Sequence, residues 1–218
     1  TPARGLWQKE VLWNIGAREA VKRGATKLLF CDLDVHPATG QEDWCDHISD
    51  CLETCDVVQP WTTVTESNGR GRWLSFSAQK ALGATKIFTG QGFAVAMTAD
   101  WWERCGGWPE DAVSGGGDAV AALRWSPPGV AQNIYRDVPG MAKLIKQSEC
   151  PTANYGYMPG DIVHQYHGER SGKDDNRRYL ARHYVWELAG GPDKVITRDK
   201  YGLWRWKRTK LAKAVREV

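Results

Sequence analysis

Blocks of apolar residues with two different spacings follow one another along the chain and predict helices and strands in turn. Residues 6–23 carry apolar side chains at helical spacing and predict a first helix. The short apolar run Lys27–Cys31 predicts a strand buried on both faces. The same patterns predict a helix at 42–54, strand-forming residues at 57–64, a strand at 93–97, helices at 98–105, 118–123 and 141–147, a strand at 161–166 and a helix at 176–189.

Residues that commonly begin and end helices support these boundaries. Thr98 is an N-cap residue at the start of the helix at 98–105, and Gly106 and Gly107 end that helix. Because strands and helices alternate along the chain, the sequence predicts an α/β fold with a mainly parallel sheet flanked by helices.

Composition places the chain among ordinary folded proteins. Its 218 residues are 42% hydrophobic and 25% charged, which supplies a core and excludes disorder over most of the chain. No apolar run approaches the roughly 18 residues of a membrane helix, and no signal peptide is recognised at the start. We therefore expect no membrane partner, a cytoplasmic location and reduced thiols.

The six cysteines form no Cys-x-x-Cys pair, which argues against a structural zinc site. Cys45 and Cys51 fall in the helix predicted at 42–54 and Cys55 directly follows it, and Cys51 and Cys55 recur at helical spacing with Trp44 and Ile48. We interpret these thiols as small core-facing groups.

The charge of the chain is concentrated near its end. The net charge is only +3, but residues 194–218 contain nine Lys or Arg against two acids. Trp204 and Arg205 belong to a run in which aromatic and cationic residues alternate, a pattern that suits a phosphate backbone with stackable bases. A solvated basic helix with a few core tryptophans is the alternative. We expect a catalytic domain at 1–190 and a basic, tryptophan-rich tail at 191–218.

Two carboxylates follow the first predicted strand. Asp32 and Asp34 lie one residue apart where an apolar strand meets a loop, and ligands of open α/β sheets bind beyond the carboxyl ends of strands. Such a pair can bind a divalent cation together with a diphosphate. A solvated turn after a strand is the alternative interpretation.

Two further segments carry side chains suited to chemistry. His164 and His167 are three residues apart and reach one cation if the chain turns there, although surface histidines are the simpler interpretation. The glycine-rich stretch 106–117 ends at Asp118, which begins a predicted helix. An acid after such glycines is placed to accept a proton from an attacking hydroxyl, whereas an ordinary N-cap aspartate is the alternative.

Taken in order, these segments resemble the glycosyltransferases of the A-type, Rossmann-like fold. Residues 29–34 are similar to the strand that ends in the D-x-D motif of these enzymes. Residues 92–96, 106–108 and 117–118 are similar to the acceptor and base region of galactosyltransferase-like members, and residues 164–178 to their late metal-ligand segment. Residues 7–10 with Asn14 match a pattern of phage-encoded members. No counterpart of the family's first, nucleotide-binding strand precedes Leu6, so we expect that strand to be missing or replaced.

The resemblance implies a role for each matching residue. Asp118 is the general base. The donor-binding residues are Asp32, Asp34, Trp7, Lys9, Asn14 and Gly92. The metal ligands, for Mn²⁺ or Mg²⁺, are Asp34, Asp32, His167 and His164. The acceptor-binding residues are Gly116, Gly117 and Trp108, to which the aromatic and basic tail adds Trp204 and Arg205.

The expected activity is metal-dependent transfer of a sugar, with inversion, from a nucleotide-diphosphate sugar such as a UDP-sugar. The expected acceptor is a 5-hydroxymethylpyrimidine in phage DNA, because some viral enzymes of this type glycosylate hydroxymethylated bases. The alternatives are a glycan, lipid or protein acceptor, a metal-dependent nucleotide-diphosphate hydrolase, and a non-catalytic protein that binds sugar or DNA.

Overall fold

The computed structural model describes residues 6–82, 90–113, 115–127, 150–166, 185 and 189–216. The helices in these ranges are α1 (Lys9–Lys22), α2 (Trp44–Cys51), α3 (Phe76–Ala81), α4 (Ala99–Arg104), α5 (Gly117–Arg124), α6 (Pro192–Val195) and α7 (Lys210–Arg216). The strands are β1 (Lys27–Cys31), β2 (Val35–Pro37), β3 (Val57–Gln59), β4 (Thr63–Glu66), β5 (Arg72–Leu74), β6 (Ala94–Thr98), β7 (Tyr155–Tyr157), β8 (Asp161–His164), β9 (Ile196–Arg198) and β10 (Trp204–Trp206).

The strands form two four-stranded sheets and a two-stranded ribbon. The first sheet has the order β1-β6-β3-β7, the second has the order β2-β8-β4-β5, and β9 pairs with β10. Of the described strand pairs, β3–β7 and β4–β8 are parallel and the others are antiparallel. The mixed α/β architecture with flanking helices is confirmed, but the expectation of a mainly parallel sheet is wrong. Buried strands are apolar in both parallel and antiparallel sheets, so the apolar pattern could not predict how the strands pair.

The first sheet contributes to two clusters of buried side chains. One cluster contains residues of helices, and the other contains residues of the second sheet. One cluster joins Leu28 and Phe30 of β1 to Trp101 of α4 and to Trp108 and Trp125. The other packs α2 and β3 against the second sheet and includes Trp44, Ile48, Val58, Trp61, Val64 and Ile162. Leu28 and Phe30 are buried while Leu29 between them is 40% exposed. The expectation that β1 is buried on both faces is therefore wrong, whereas β6 is almost entirely buried.

Local sequence signals place several boundaries correctly. β1 has the predicted bounds, and the Thr98 hydroxyl caps α4 by accepting a hydrogen bond from the Trp101 amide. Cys51 and Cys55 pack against the second cluster, but Cys45 is exposed because it lies on the outer face of α2. The helix predicted at 141–147 lies outside the described residues, as does nearly all of the one predicted at 176–189.

The C-terminal segment packs against the start of α1. Val195, Ile196 and Ala212 form a third buried cluster that Trp204 and Trp206 adjoin. The Gln8 amide donates to the Trp204 carbonyl at 2.8 Å and its oxygen accepts from the Trp204 amide at 3.1 Å. The predicted division of the chain at residue 190 stays a prediction. None of the helices in the described ranges has the length and apolar character needed to cross a lipid bilayer.

Candidate functional site

The turn at residues 32–34 lies where the two sheets meet. The antiparallel register pairs Cys31 at the end of β1 with Ala94 at the start of β6, and the Asp32 amide donates to the Phe93 carbonyl at 2.8 Å. Directly after the turn, β2 pairs with β8, and the register sets Val35 opposite His164. The sequence thus brings the predicted carboxylates beside both the 92–93 turn and the first predicted histidine.

Of the three predicted metal ligands that the structure describes, Asp34 and His164 lie in contact with each other. The Asp34 Oδ2 atom lies 3.3 Å from His164 Nε2. The imidazole is buried and meets the Phe93 ring edge-on at 5.2 Å, whereas the Asp34 side chain is 40% exposed. Across the described ranges, no group of three or more His, Cys, Asp or Glu side chains is arranged to hold a metal ion. The predicted ligand His167 lies outside those ranges.

Asp32 is paired with a lysine rather than with the other predicted ligands. Lys9 Nζ lies 3.0 Å from Asp32 Oδ1 and 4.6 Å from the centre of the Trp13 ring. Burial raises the pKa of Asp32, and the Lys9 charge offsets part of that rise. Burial alone would lower the pKa of Lys9, but Asp118 and Asp32 outweigh it and raise that pKa above its usual value. Lys9 therefore stays charged between two carboxylates.

Asp118 lies in the first turn of α5, as predicted. The helix begins after Gly116, whose φ of 82° is in the left-handed region that favours glycine. A Cβ atom on Gly92 would overlap the Asp118 Oδ2 atom, so a larger residue there would displace the Asp118 carboxylate. No Lys or Arg described in the structure lies within ion-pair distance of the Asp118 carboxylate. Its charge is left available at the surface of the site.

A second acid near Asp118, Glu10, was missed in the sequence. Its side chain is buried against α5, and a Cβ atom on Gly117 would overlap Glu10 Oε1. Burial raises the pKa of Glu10 to about 7. Within the described chain, Oε1 has no hydrogen-bond partner. The sequence did offer one indication of this burial, because Glu10 lies beside Val11 on the apolar face of the predicted first helix.

The other two acids of the glycine-rich stretch are neutralised by cations. The Asp111 carboxylate accepts hydrogen bonds from Arg124 at 2.9 and 3.2 Å. Glu110 forms an ion pair with Arg198 and accepts a hydrogen bond from Asn14 at 2.8 Å. These contacts hold the 106–113 loop against α5 and β9.

Two predicted binding residues are part of the protein core instead. Asn14 donates to the Trp108 carbonyl at 2.9 Å and accepts from the Trp108 amide and from Trp102 Nε1 at 2.9 and 3.1 Å. The Trp108 ring is 2% exposed and packs against Trp13 and Trp125. Both side chains thus face inward, and the donor contact of Asn14 and the acceptor contact of Trp108 stay predictions.

The remaining predicted residues lie around the start of α1. Trp7 is 37% exposed, and its backbone amide donates to the Val113 carbonyl. Trp204 Nε1 donates to the Glu110 carbonyl, and the Arg198 guanidinium covers the Trp204 ring at 3.9 Å. Arg205 is exposed and pairs with Asp199 at 2.9 Å. The Trp204 ring is thus already stacked, while the Arg205 charge faces solvent.

Phe93 is a further site residue that sequence reasoning missed. Its φ is 71°, in the left-handed region that a bulky side chain rarely adopts. Its carbonyl accepts from Asp32, and its ring packs against Trp61, Trp73 and His164. Such strained residues are concentrated at functional sites, where the surroundings hold them in place.

Comparisons with protein-family models, with curated proteins and with solved structures give no match to this chain. The functional argument therefore depends on the geometry of the site.

Proposed function

We propose that this protein is a metal-dependent glycosyltransferase of the A-type fold that uses a nucleotide-diphosphate sugar, such as a UDP-sugar, as donor. The observation that carries the proposal is that Lys9, Asp32, Asp34, His164 and Asp118, distant in the sequence, meet around one turn between two sheets. Four parts of the chain supply them, because Asp32 and Asp34 belong to the same turn. Such convergence of acids, a lysine and a histidine is typical of phosphate and metal chemistry.

The side chains around Asp34 suit a cation that is shared with a diphosphate. Asp34 and His164 offer one oxygen and one nitrogen ligand 3.3 Å apart, and Mg²⁺ commonly uses one or two protein carboxylates while phosphate oxygens and water complete its shell. Bound Mn²⁺ or Mg²⁺ would neutralise the charge that develops on the departing nucleotide diphosphate. Lys9 adds a positive charge beside Asp32 and is placed to contact the same phosphates.

Asp118 is the residue we assign as general base. Its carboxylate is half-buried, lies against Gly92 and has no described arginine or lysine at ion-pair distance. It lies in the first turn of α5, where a helix N-terminus interacts favourably with an acidic side chain. A single base that deprotonates the acceptor hydroxyl, with no covalent nucleophile, produces inversion at the anomeric carbon, by analogy with inverting glycosidases.

For the acceptor, we propose a 5-hydroxymethylpyrimidine in DNA, in the cytoplasm of a cell. The exposed Arg205 and the basic residues of α7 and its approach, Lys207, Arg208 and Lys210, support an anionic polymer. Because Trp204 is covered by Arg198, the DNA contact would be made by cations more than by stacking on that ring.

A donor screen tests the activity. Thermal denaturation is followed for the full chain with a panel of nucleotide sugars, each with and without Mn²⁺. One donor should raise Tm in a metal-dependent way, because ligands that bind only the folded state stabilise it. Asp34→Ala should lose that increase, while Asp46→Ala, an exposed acid on α2, should keep it.

Turnover assays then separate the possible reactions. Incubation of the selected donor with DNA that carries 5-hydroxymethylcytosine should transfer the sugar to DNA. Transfer to a glycan, lipid or protein instead would reject the DNA acceptor. Release of free sugar or sugar phosphate without any acceptor would identify a hydrolase. Donor or DNA binding without turnover, and without loss in Asp118→Asn, would indicate a binding protein.

A further inference from the structure

A small cavity is lined by Asp118 and by residues of the protein core. Its volume is about 10 Å³, and its wall contains Asp118, Gln91, Trp108, Tyr155, Gln59, Phe76, Val95, Ala122 and Trp125. A cavity of this volume accommodates one water molecule and no larger group.

The polar atoms of this wall are mostly donors that lack a partner. Gln91 Nε2, Trp108 Nε1 and the Tyr155 hydroxyl are buried and make no hydrogen bond within the described chain. Gln59, by contrast, donates to the Gly90 carbonyl at 2.7 Å and accepts from the Ser77 amide at 2.8 Å. Burial raises the pKa of Tyr155 well above its usual value, so the hydroxyl remains a neutral donor.

Three unpaired donors around one cavity are energetically costly. A buried donor without a partner loses its hydration and gains nothing in return, so native proteins seldom leave such groups unpaired. A polar cavity large enough for a water usually contains one, which forms about three hydrogen bonds. An anion would also meet these donors, but the negative charge of Asp118 on the same wall would repel it.

We infer that this cavity binds one water molecule, which accepts hydrogen bonds from Gln91 and Tyr155 and donates one to the Asp118 carboxylate. A water has two acceptor and two donor positions, so it links the buried donors to the only carboxylate of the wall. This makes Gln91 and Tyr155 positioning residues that orient Asp118 through the water. The positioning role, though not the water itself, rests on the proposed function.

The closing experiment compares Tyr155→Phe with Ser77→Ala in the full chain. Both changes remove one buried hydroxyl that has no described partner, but Ser77 does not line the cavity. If a water bonds to Tyr155, Tyr155→Phe should lower Tm by about 2–4 °C, the shift typical of one lost hydrogen bond in a protein of this size. If the cavity is dry, the same change removes an unpaired donor, and an equal or higher Tm would overturn the inference. Ser77→Ala should leave Tm equal or higher.

A high-resolution crystal structure gives a second, independent result. Density for a water within hydrogen-bond distance of Asp118 and Tyr155 is expected in the unmodified chain and should be lost in Tyr155→Phe. No density in the unmodified chain would overturn the inference. Gln91→Leu, in which an isosteric apolar side chain replaces the amide, provides a further variant with the same expected changes.

Kinetics test the positioning role separately. Tyr155→Phe should lower kcat roughly tenfold while the KM for the donor is unchanged, because a hydrogen bond to a charged group is lost in the reacting complex. An unchanged kcat with the water lost would reject positioning while leaving the hydration site in place. If the chain transfers no sugar at all, the proposed function fails, but the melting and diffraction results still decide whether the water is present.

Discussion

Two acidic regions of the molecule differ in how their charge is compensated. In the 106–113 loop, Glu110 and Asp111 each contact an arginine, and Glu110 also accepts a hydrogen bond from Asn14. At the candidate site, Asp118 has no described arginine or lysine at ion-pair distance, and Asp32 pairs with Lys9, whose charge also interacts with Asp118. Acids that fasten a loop are neutralised locally, whereas the acids of the candidate site keep net negative charge. From this difference we infer that the first pair of acids stabilises the loop and that the second group of acids takes part in the proposed reaction.

The largest expected effect comes from Asp118→Asn. The change keeps the size of the side chain but removes its basicity, so turnover should fall by about 10²–10⁴-fold. Donor affinity, measured by titration calorimetry, should change little. Asp111→Asn is the matched control, and a dead Asp111→Asn beside a normal Asp118→Asn would reverse the assignment.

Removal of a metal ligand should have the next largest effect. In Asp34→Ala the metal-dependent part of turnover should fall by roughly 10³-fold, because charge neutralisation by a cation contributes several kcal/mol. An excess of chelator should have the same effect on the unmodified chain. Full activity under chelation would contradict a metal-dependent reaction at this turn.

Glu10 should make the free energy of unfolding depend on pH. Its pKa is raised by burial from 4.5 to about 7, so between these values the folded chain binds more protons than the unfolded chain. Stability should therefore fall as pH rises through this window, by on the order of 3 kcal/mol in total. Glu10→Gln should remove this slope, which urea denaturation at several pH values can measure. A slope that survives in the variant would place the titration elsewhere.

The smallest effect is expected at the compensated acids. Asp111→Asn breaks a partly exposed ion pair with Arg124, so the free energy of unfolding should fall by about 1 kcal/mol or less. Turnover should stay near normal. A loss of turnover as large as that of Asp118→Asn would remove the distinction between the two regions.

The sequence predicted those features that depend on neighbours along the chain. The bounds of β1, the Thr98 cap of α4 and the start of α5 near Asp118 all follow from short patterns. Strand direction did not follow, since antiparallel and parallel buried strands have similar compositions. The expected proximity of Asp34 and His164 depended on order in the chain and a resemblance, and the register of β2 with β8 is what places them together.

Two predicted site residues have structural contacts that a single sequence does not reveal. Asn14 and Trp108 were assigned from motif positions, but a motif position alone does not show which tertiary contacts a residue makes. The amide of Asn14 is fully used by backbone and side-chain partners. Glu10 and Phe93 lie within the matched segments 7–10 and 92–96 but were assigned no role, because burial and a left-handed backbone leave little trace in a single sequence.

The left-handed backbone of Phe93 has a consequence for the candidate site. One residue provides both the carbonyl that fixes the Asp32 amide and the ring that packs on His164. A change in its φ would therefore alter the contact to Asp32 and the contact to His164 together. A bulky residue in the left-handed region carries about 1–3 kcal/mol of strain, and the packing of the Phe93 ring holds the residue in this conformation. The same packing therefore holds the strained backbone and the position of the His164 ring together.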